Sequence, residues 1–222
     1  MTRKRILVTG GAGFISSNVV RHLLARSPHE VVSLDALTYA GNMDNLTDVL
    51  GHERLSFVHG DVRDRDLVGD IVRQVDVIVN AAAESHVEKS IVDGAREFVT
   101  TNVEGTQILL DAVRRDPVER FVLISSSEVY GTAERDPMDE GHPLNPRSPY
   151  AATKIFLTGG SSRPSSRWTS SARARVSTSA SPVAGKAAKY TGEYGKSTSS
   201  AWTAPRRKSA GASRANRFPE ER

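Results

Sequence analysis

Five short apolar runs, separated by stretches with helical spacing, dominate the first 157 residues of this 222-residue chain. They are Ile6-Leu7-Val8, Val31 to Leu34, Leu55 to Val58, Val75 to Val79 and Arg120 to Ile124. Runs this short and this continuously apolar suit strands of a parallel sheet covered on both faces. Between them, Phe14 to Ala25, Asp66 to Arg73 and Gly94 to Arg115 carry helical patterns. In the longest, Phe98, Val99, Val103, Ile108, Leu109, Ala112 and Val113 can share one buried stripe. The alternation predicts right-handed βαβ units and an α/β fold with a Rossmann-like, doubly wound parallel sheet of about five strands. Ligands of such sheets sit beyond the carboxyl ends of the strands, where the strand order reverses.

The first run opens into Thr9-Gly10-Gly11-Ala12-Gly13-Phe14-Ile15-Ser16. Gly10 and Gly13 permit a tight turn and close approach of a pyrophosphate to the main chain. The following helix offers free N–H groups and the positive end of its dipole. Ser16 occupies the third position of the spacing, where glycine is usual, and is expected to loosen the helix–strand contact. Asp35 ends the second run, where a carboxylate accepts hydrogen bonds from an adenosine ribose and repels a 2′-phosphate, favouring NAD over NADP. Asp61, directly after the third run, suits either an adenine contact or a cap on the next helix.

Proton-transfer candidates follow the last two runs. Tyr150 and Lys154 stand four residues apart and share one face of a helix. A neighbouring ammonium favours the phenolate form and makes Tyr150 a usable base toward a sugar hydroxyl, and the same lysine can hold a nicotinamide ribose. Ser126 can orient a substrate oxygen toward Tyr150, and Glu128 can remove a carbon-bound proton; a polar loop bonded to its own backbone is the bland alternative. After the fourth run, small Ala81, Ala82 and Ala83 permit close approach to a dinucleotide, with Glu84 and Ser85 on the substrate side. His86 suits a structural role as well as a ligand role. No His or carboxylate spacing suggests a metal site.

These segments resemble the extended short-chain dehydrogenase/reductases that modify nucleotide sugars, the NAD-dependent epimerase/dehydratase family, and within it the dTDP-glucose 4,6-dehydratases. The resemblance rests on ordered strings from residue 9 to residue 154: 9–15, 34–46, 81–90, 101–106, 126–131 and 145–154. It implies NAD as cofactor, with Phe14, Ile15, Val62 and Thr101 joining Gly10, Gly13, Asp35, Asp61, Ala81, Ala82, Ala83, Tyr150 and Lys154 as cofactor contacts. It implies oxidation at C4 of the sugar, loss of water across C5 and C6, and hydride return to C6. Tyr150 would be the C4-hydroxyl base with Lys154 its partner, Glu128 the base at C5, and Ser85 and Ser126 substrate contacts. The dehydratase pattern has Thr-Asp-Glu where this chain has Ser126-Ser127-Glu128, so the acid for the leaving hydroxyl is Ser127, a poor acid. UDP-glucuronate decarboxylases, GDP-mannose dehydratases and 4-epimerases therefore stay open. A non-catalytic NAD-binding module is a further alternative.

Composition divides the chain at the same place. Residues 1–157 carry 17 Lys and Arg against 23 Asp and Glu, whereas residues 158–222 carry 13 against 3. No Leu, Ile or Met follows Leu157. The expectation is an NAD-binding Rossmann domain over 1–157 and a low-complexity basic tail, irregular or disordered, over 158–222. In the resembled family a longer Tyr–Lys helix, a dimer interface and a substrate-binding domain occupy that place. An out-of-register reading of the gene is the leading account of the tail, and a genuine basic tail that binds nucleic acid is the rival. Activity of this chain is accordingly expected to be impaired. Cysteine is absent, which excludes disulfides and thiol nucleophiles. The basic start Arg3-Lys4-Arg5 precedes too short an apolar run for a signal peptide, which leaves a cytoplasmic location as the expectation.

Overall fold

The computed structural model describes residues 2–139 and 141–155. The tail from residue 158, the expected boundary before it and any continuation of the Tyr–Lys helix lie outside these residues. Strand β1 (Arg5–Thr9) lies in parallel between β2 (Glu30–Asp35) and β4 (Val77–Asn80). Strand β3 (Leu55–His59) pairs with β2, and β5 (Arg120–Leu123) with β4, which gives the order β3-β2-β1-β4-β5. The order reverses between β1 and β4, so loops leaving the carboxyl ends of these strands diverge and open a crevice. The fold is a Rossmann-like, doubly wound parallel sheet, as the alternation of apolar runs predicts.

Period-two alternation assigns each strand residue to one of two cores. Leu7, Val32, Leu34, Val58 and Ile78 face helices α2 (Arg65–Val72) and α5 (Gly105–Arg115) and pack with Val68, Ile71, Ile108 and Leu109. Ile6, Val8 and Val31 face the opposite way and pack with Val20 and Leu24 of α1 (Phe14–Arg26) and with Leu46. Both faces of the central strands are dry, which is why their sequences read as continuous apolar runs. Among the described residues no helix is long and apolar enough to cross a membrane.

Two expected elements differ in detail. The fourth strand begins at Val77 instead of Val75; at Asp76 the backbone N–H donates to Arg5 O, the carbonyl accepts from Glu119 N and the side chain accepts from Arg5 N, each at 2.8 Å. The long helix expected over Gly94 to Arg115 runs without interruption from Arg96 to Arg115, but six of its residues form a π-helical turn. Gly94 has φ +97°, α4 (Arg96–Phe98) follows, and a π-helical segment over Val99–Glu104 leads into α5. The wider π turn shifts the register, so Val99 is 47 % exposed and Val103 only half-buried, while Asn102, Gly105 and Thr106 turn inward. An unexpected short helix, α3 (Val87–Val92), is capped by His86, whose Nδ1 accepts from Lys89 N at 3.4 Å. Ser16 does not open the helix–strand contact: it is buried, and its hydroxyl reaches Thr9 O at 3.4 Å. A serine side chain is small enough to fill this contact and carries a donor for the strand carbonyl.

Close approach is demanded at Gly11. A Cβ there would lie 1.9 Å from Ser33 Oγ and 3.0 Å from Ser33 Cβ. Gly11→Ala is therefore expected to destabilise the chain by about 1–3 kcal/mol through overpacking. Adding Ser33→Ala should recover part of the loss, because it removes the hydroxyl but leaves the Cβ contact. Thermal unfolding of the single and double variants measures both effects.

Candidate active site

The turn from β1 into α1 is closed by main-chain bonds. Gly10 N and Gly11 N donate to Leu34 O at 2.8 and 3.3 Å, and Gly13 N donates to Gly10 O at 2.9 Å. Gly10 sits at φ +68°, where L residues are strained, and a Cβ there would come within 2.9 Å of Ala82 Cα. Gly13 caps α1 without a side chain, so the first-turn N–H groups of the helix remain open. Asp35, at the end of β2, ties this turn to its own loop. Its Oδ2 accepts from Ala12 N at 2.9 Å and its Oδ1 from Leu37 N at 2.8 Å. The carboxylate is buried, yet each oxygen keeps a lone pair for a ligand hydroxyl.

A cavity of about 660 Å³ runs along the carboxyl ends of the strands. Of the residues singled out in the sequence, Gly10, Gly13, Phe14, Ile15, Ser16, Asp35, Asp61, Val62, Ala81, Ala82, Ala83, Glu84, Ser85, Thr101, Tyr150 and Lys154 line it. Phe14 and Ile15 are 81 % and 61 % exposed, unusual for such apolar side chains, and form part of its open wall. Ser126, Ser127 and Glu128 do not line it. They form a 3₁₀ turn after β5 in which Ser126 Oγ accepts from Glu128 N at 3.2 Å, while Ile124 and Ser125 reach the wall. At the end of β3, Asp61 does not cap α2; Asp64 does, accepting from Asp66 N and Leu67 N. Asp61 instead holds Arg63, whose guanidinium keeps its carboxyl below the usual carboxylate range.

A buried chain of hydrogen bonds joins the sheet to the Tyr–Lys helix, α6 (Pro149–Ile155). Thr9 Oγ1 donates to Asn80 Oδ1 at 2.6 Å and accepts from Ala81 N and Ala82 N, both at 3.1 Å. Asn80 Nδ2 donates to Thr106 Oγ1 at 3.0 Å, and that hydroxyl donates to Asn102 O at 2.7 Å. Asn102 then grips the Glu84 backbone with both ends, at 2.8 and 3.0 Å, while its Nδ2 also donates to Thr153 Oγ1 at 2.9 Å. Tyr150 packs edge-on against Phe98 with ring centroids 6.4 Å apart, and its N–H reaches Ser90 Oγ at 3.3 Å. Lys154 is buried one helical turn away, and desolvation lowers its pKa to about 8.

Sequence reasoning passed over several wall residues. Tyr39, Arg63, Lys89 and Glu97 line the cavity, with Lys89 Nζ 5.1 Å from the Tyr39 ring centroid and 2.8 Å from Glu97 Oε2. Partial burial and the nearby Glu84 carboxylate raise the Tyr39 phenol above its ordinary value. Tyr39 and Lys89 fall inside the strings 34–46 and 81–90, so their segments carried a signal although their side-chain roles did not.

Residues 7–159 match the model of the GDP-mannose 4,6 dehydratase family. The chain belongs to this family. Within it, a low-salt glycan biosynthesis protein of Haloferax volcanii is 58 % identical over 149 residues, covering 67 % of this chain and 48 % of that protein. A dTDP-glucose 4,6-dehydratase of Streptomyces griseus is 51 % identical over 156 residues, covering 67 % and 46 %. The crystal structure of a dTDP-glucose 4,6-dehydratase from Streptomyces venezuelae, solved with NAD bound, superposes with a TM-score of 0.65 at 52 % identity, over 68 % of this chain and 48 % of that one. A UDP-N-acetylglucosamine 4-epimerase from Methanobrevibacter ruminantium superposes at 0.64 with 31 % identity, over 72 % and 51 %. The chain thus spans about half the length of the curated relatives it matches.

Burying the Lys154 ammonium costs the folded family member stability. Its folded pKa of about 8 lies below the ordinary 10.5, so the penalty, about 3 kcal/mol, is complete below pH 8 and fades as pH rises toward 10.5. Lys154→Met is expected to stabilise the fold at pH 7, with the gain shrinking across that window. Denaturant unfolding at pH 7 and pH 10 measures it.

Proposed function

We propose that residues 1–157 form an NAD-binding unit and that the chain is an NAD-dependent nucleotide-sugar dehydratase of the dTDP-glucose 4,6-dehydratase type. The observation that carries this reading is the buried Tyr150–Lys154 pair on the wall of a cavity whose other end is a glycine turn with an acidic β2 terminus. The residues present fit NAD. The turn offers open N–H groups, Asp35 keeps acceptors for a ribose, and Glu84 Oε2 and Ser125 Oγ are buried polar atoms of wall residues without a protein partner among the described residues. Relatives solved with NAD add support.

In this reading the α1 N-terminus, with Gly10, Gly13, Phe14 and Ile15, holds the pyrophosphate, and Asp35 holds the adenosine ribose and disfavours a 2′-phosphate. Asp61 and Val62 flank the adenine, Ala81, Ala82, Ala83 and Thr101 pack along the dinucleotide, and Lys154 holds the nicotinamide ribose. Bound there, NAD supplies the acceptor and later the donor of hydride. Tyr150 takes the proton of the sugar C4 hydroxyl, and the Lys154 ammonium stands one helical turn away on the same helix. Ser85 and Ser126 hold the sugar, and Glu128 removes the C5 proton. The set accounts for oxidation at C4 and removal of the C5 proton, in a cytoplasmic enzyme. The departing C6 hydroxyl must take up a proton at the position held by Ser127, a poor acid, before hydride returns to C6.

A second reading, a dinucleotide-binding module without turnover, is favoured by one feature: Ser126, Ser127 and Glu128 lie off the cavity wall, and Ser127 is a poor acid for the departing hydroxyl. NAD binding by calorimetry with formation of a 4-keto-6-deoxy sugar from dTDP-glucose supports the first reading. Binding without product supports the second, and absence of both overturns the two together. For the enzyme, Tyr150→Phe is expected to lower kcat by roughly 100-fold or more. Turnover by the unaltered chain should decline above pH 8 as Lys154 loses its proton, and a pH profile of kcat checks it.

A further inference from the structure

Tyr39 and Lys89 have no part in the proton chemistry proposed above. Tyr39 belongs to the loop after β2, and Lys89 to α3, which follows β4. Strand β1 lies between β2 and β4, so a contact between these residues spans the glycine turn that leaves β1. Lys89 Nζ stands 5.1 Å from the Tyr39 ring centroid, and the Glu97 carboxylate of α4 binds the ammonium at 2.8 Å. This bond raises the Lys89 pKa above the ordinary amine value, so the cation is fully charged at neutral pH. The Glu84 carboxylate, in the loop after β4, faces the Tyr39 hydroxyl. All four residues line the cavity.

The loop after β2 presents Tyr39 on a fixed arm. Leu37 adopts φ +51°, in the left-handed region that a leucine occupies only under restraint. Its N–H donates to Asp35 Oδ1 at 2.8 Å, and its side chain packs against the core beneath α1. Gly41 N donates to Thr38 O at 3.0 Å, and Asn42 N donates to Ala12 O at 3.1 Å. Between these anchors Tyr39 is 60 % exposed, so burial in a core does not place its ring; the contact across the groove does. We propose that Tyr39 and Lys89 form a bar across the dinucleotide groove, which parts for the cofactor to enter and leave and retains it between removal and return of hydride. The inference rests on the NAD reading. Asp35 ends β2, whereas the helix that carries Lys154 is tied to α3 through Tyr150 N and Ser90 Oγ. The two proposed ribose sites therefore lie on opposite sides of β1, and whatever links them passes the span that the bar crosses.

Stopped-flow NADH fluorescence on the full chain measures the association and dissociation rates separately. A bar that closes over the empty and the loaded groove alike slows both. Tyr39→Ala and Lys89→Met are therefore each expected to raise both rates roughly two- to fivefold, the range of an exposed cation–π contact, with Kd nearly unchanged. The double variant should be no faster than Tyr39→Ala, because the two residues form one contact. Faster dissociation alone marks a direct cofactor contact and overturns the proposal, as do unchanged rates. The chain contains no cysteine, so thiols introduced by Tyr39→Cys with Lys89→Cys can be joined selectively by a short bis-maleimide. Joining after loading should abolish the fast release of NADH, and joining before loading should block its entry. Release and entry at the rates of the unjoined variant overturn the proposal, and this comparison decides if Tyr39→Ala fails to fold. Failure of the unaltered chain to bind NADH at all overturns the NAD reading instead.

Discussion

At Asn102 a buried carboxamide carries both of its hydrogen-bonding ends into the protein, and the site is held together by what they meet. The oxygen takes Glu84 N, and the nitrogen serves Glu84 O and Thr153 Oγ1. The loop after β4 and the Tyr–Lys helix are thereby fixed to the same side chain. Thr106 and Asn80 continue the chain of bonds to Thr9, at the foot of the glycine turn. In a low-dielectric interior such a network is stable only when its members are satisfied together, so it specifies one arrangement of the three segments. The π-helical turn that contains Asn102 is part of this device, because its wider register rotates the carboxamide inward and leaves Val99 outside.

The cavity wall pays for this order with polar groups that the fold alone does not favour. Lys154 is buried as a cation, and Glu84 Oε2 and Ser125 Oγ lack protein partners among the described residues. Each costs stability that a purely structural sheet edge would not surrender. Charges farther out, such as Lys89 with Glu97 and Arg63 with Asp61, are partly exposed and contribute little to stability. Their effect is geometric: they hold the chemistry of the rim in fixed orientations around a cavity built from five separate loops.

Much of the architecture was legible because both faces of the central strands are covered, which writes Ile6-Leu7-Val8 and its counterparts as continuous apolar runs. The glycine turn, Asp35 and the Tyr150–Lys154 spacing were legible for a related reason: each is a local requirement of backbone conformation or helix periodicity. The π turn within the long helix was not, since nothing between Gly94 and Arg115 marks it except the polar Asn102 on a face expected to be apolar. Helix α3 escaped notice because six residues are too few to show a period, and the cap alternative for Asp61 failed because α2 begins at Arg65, next to Asp64. Arg63, Tyr39, Lys89 and Glu97 lie in separate segments of the sequence and meet at one rim only through the folded loops.

By itself the sequence determined the parallel α/β fold, the turn that opens α1, the acidic end of β2 and the one-turn spacing of tyrosine and lysine. These follow from interactions within a few residues, such as steric freedom at glycine, side-chain alternation and helix periodicity. Tertiary structure alone decided that Asn102 would be the joint and that Asp61 would be held by Arg63 instead of capping a helix. The bonds of the buried network join residues 71, 26 and 51 positions apart. No local pattern encodes such partners; they exist only once the burial of two hydrophobic cores has brought the ends of the strands together.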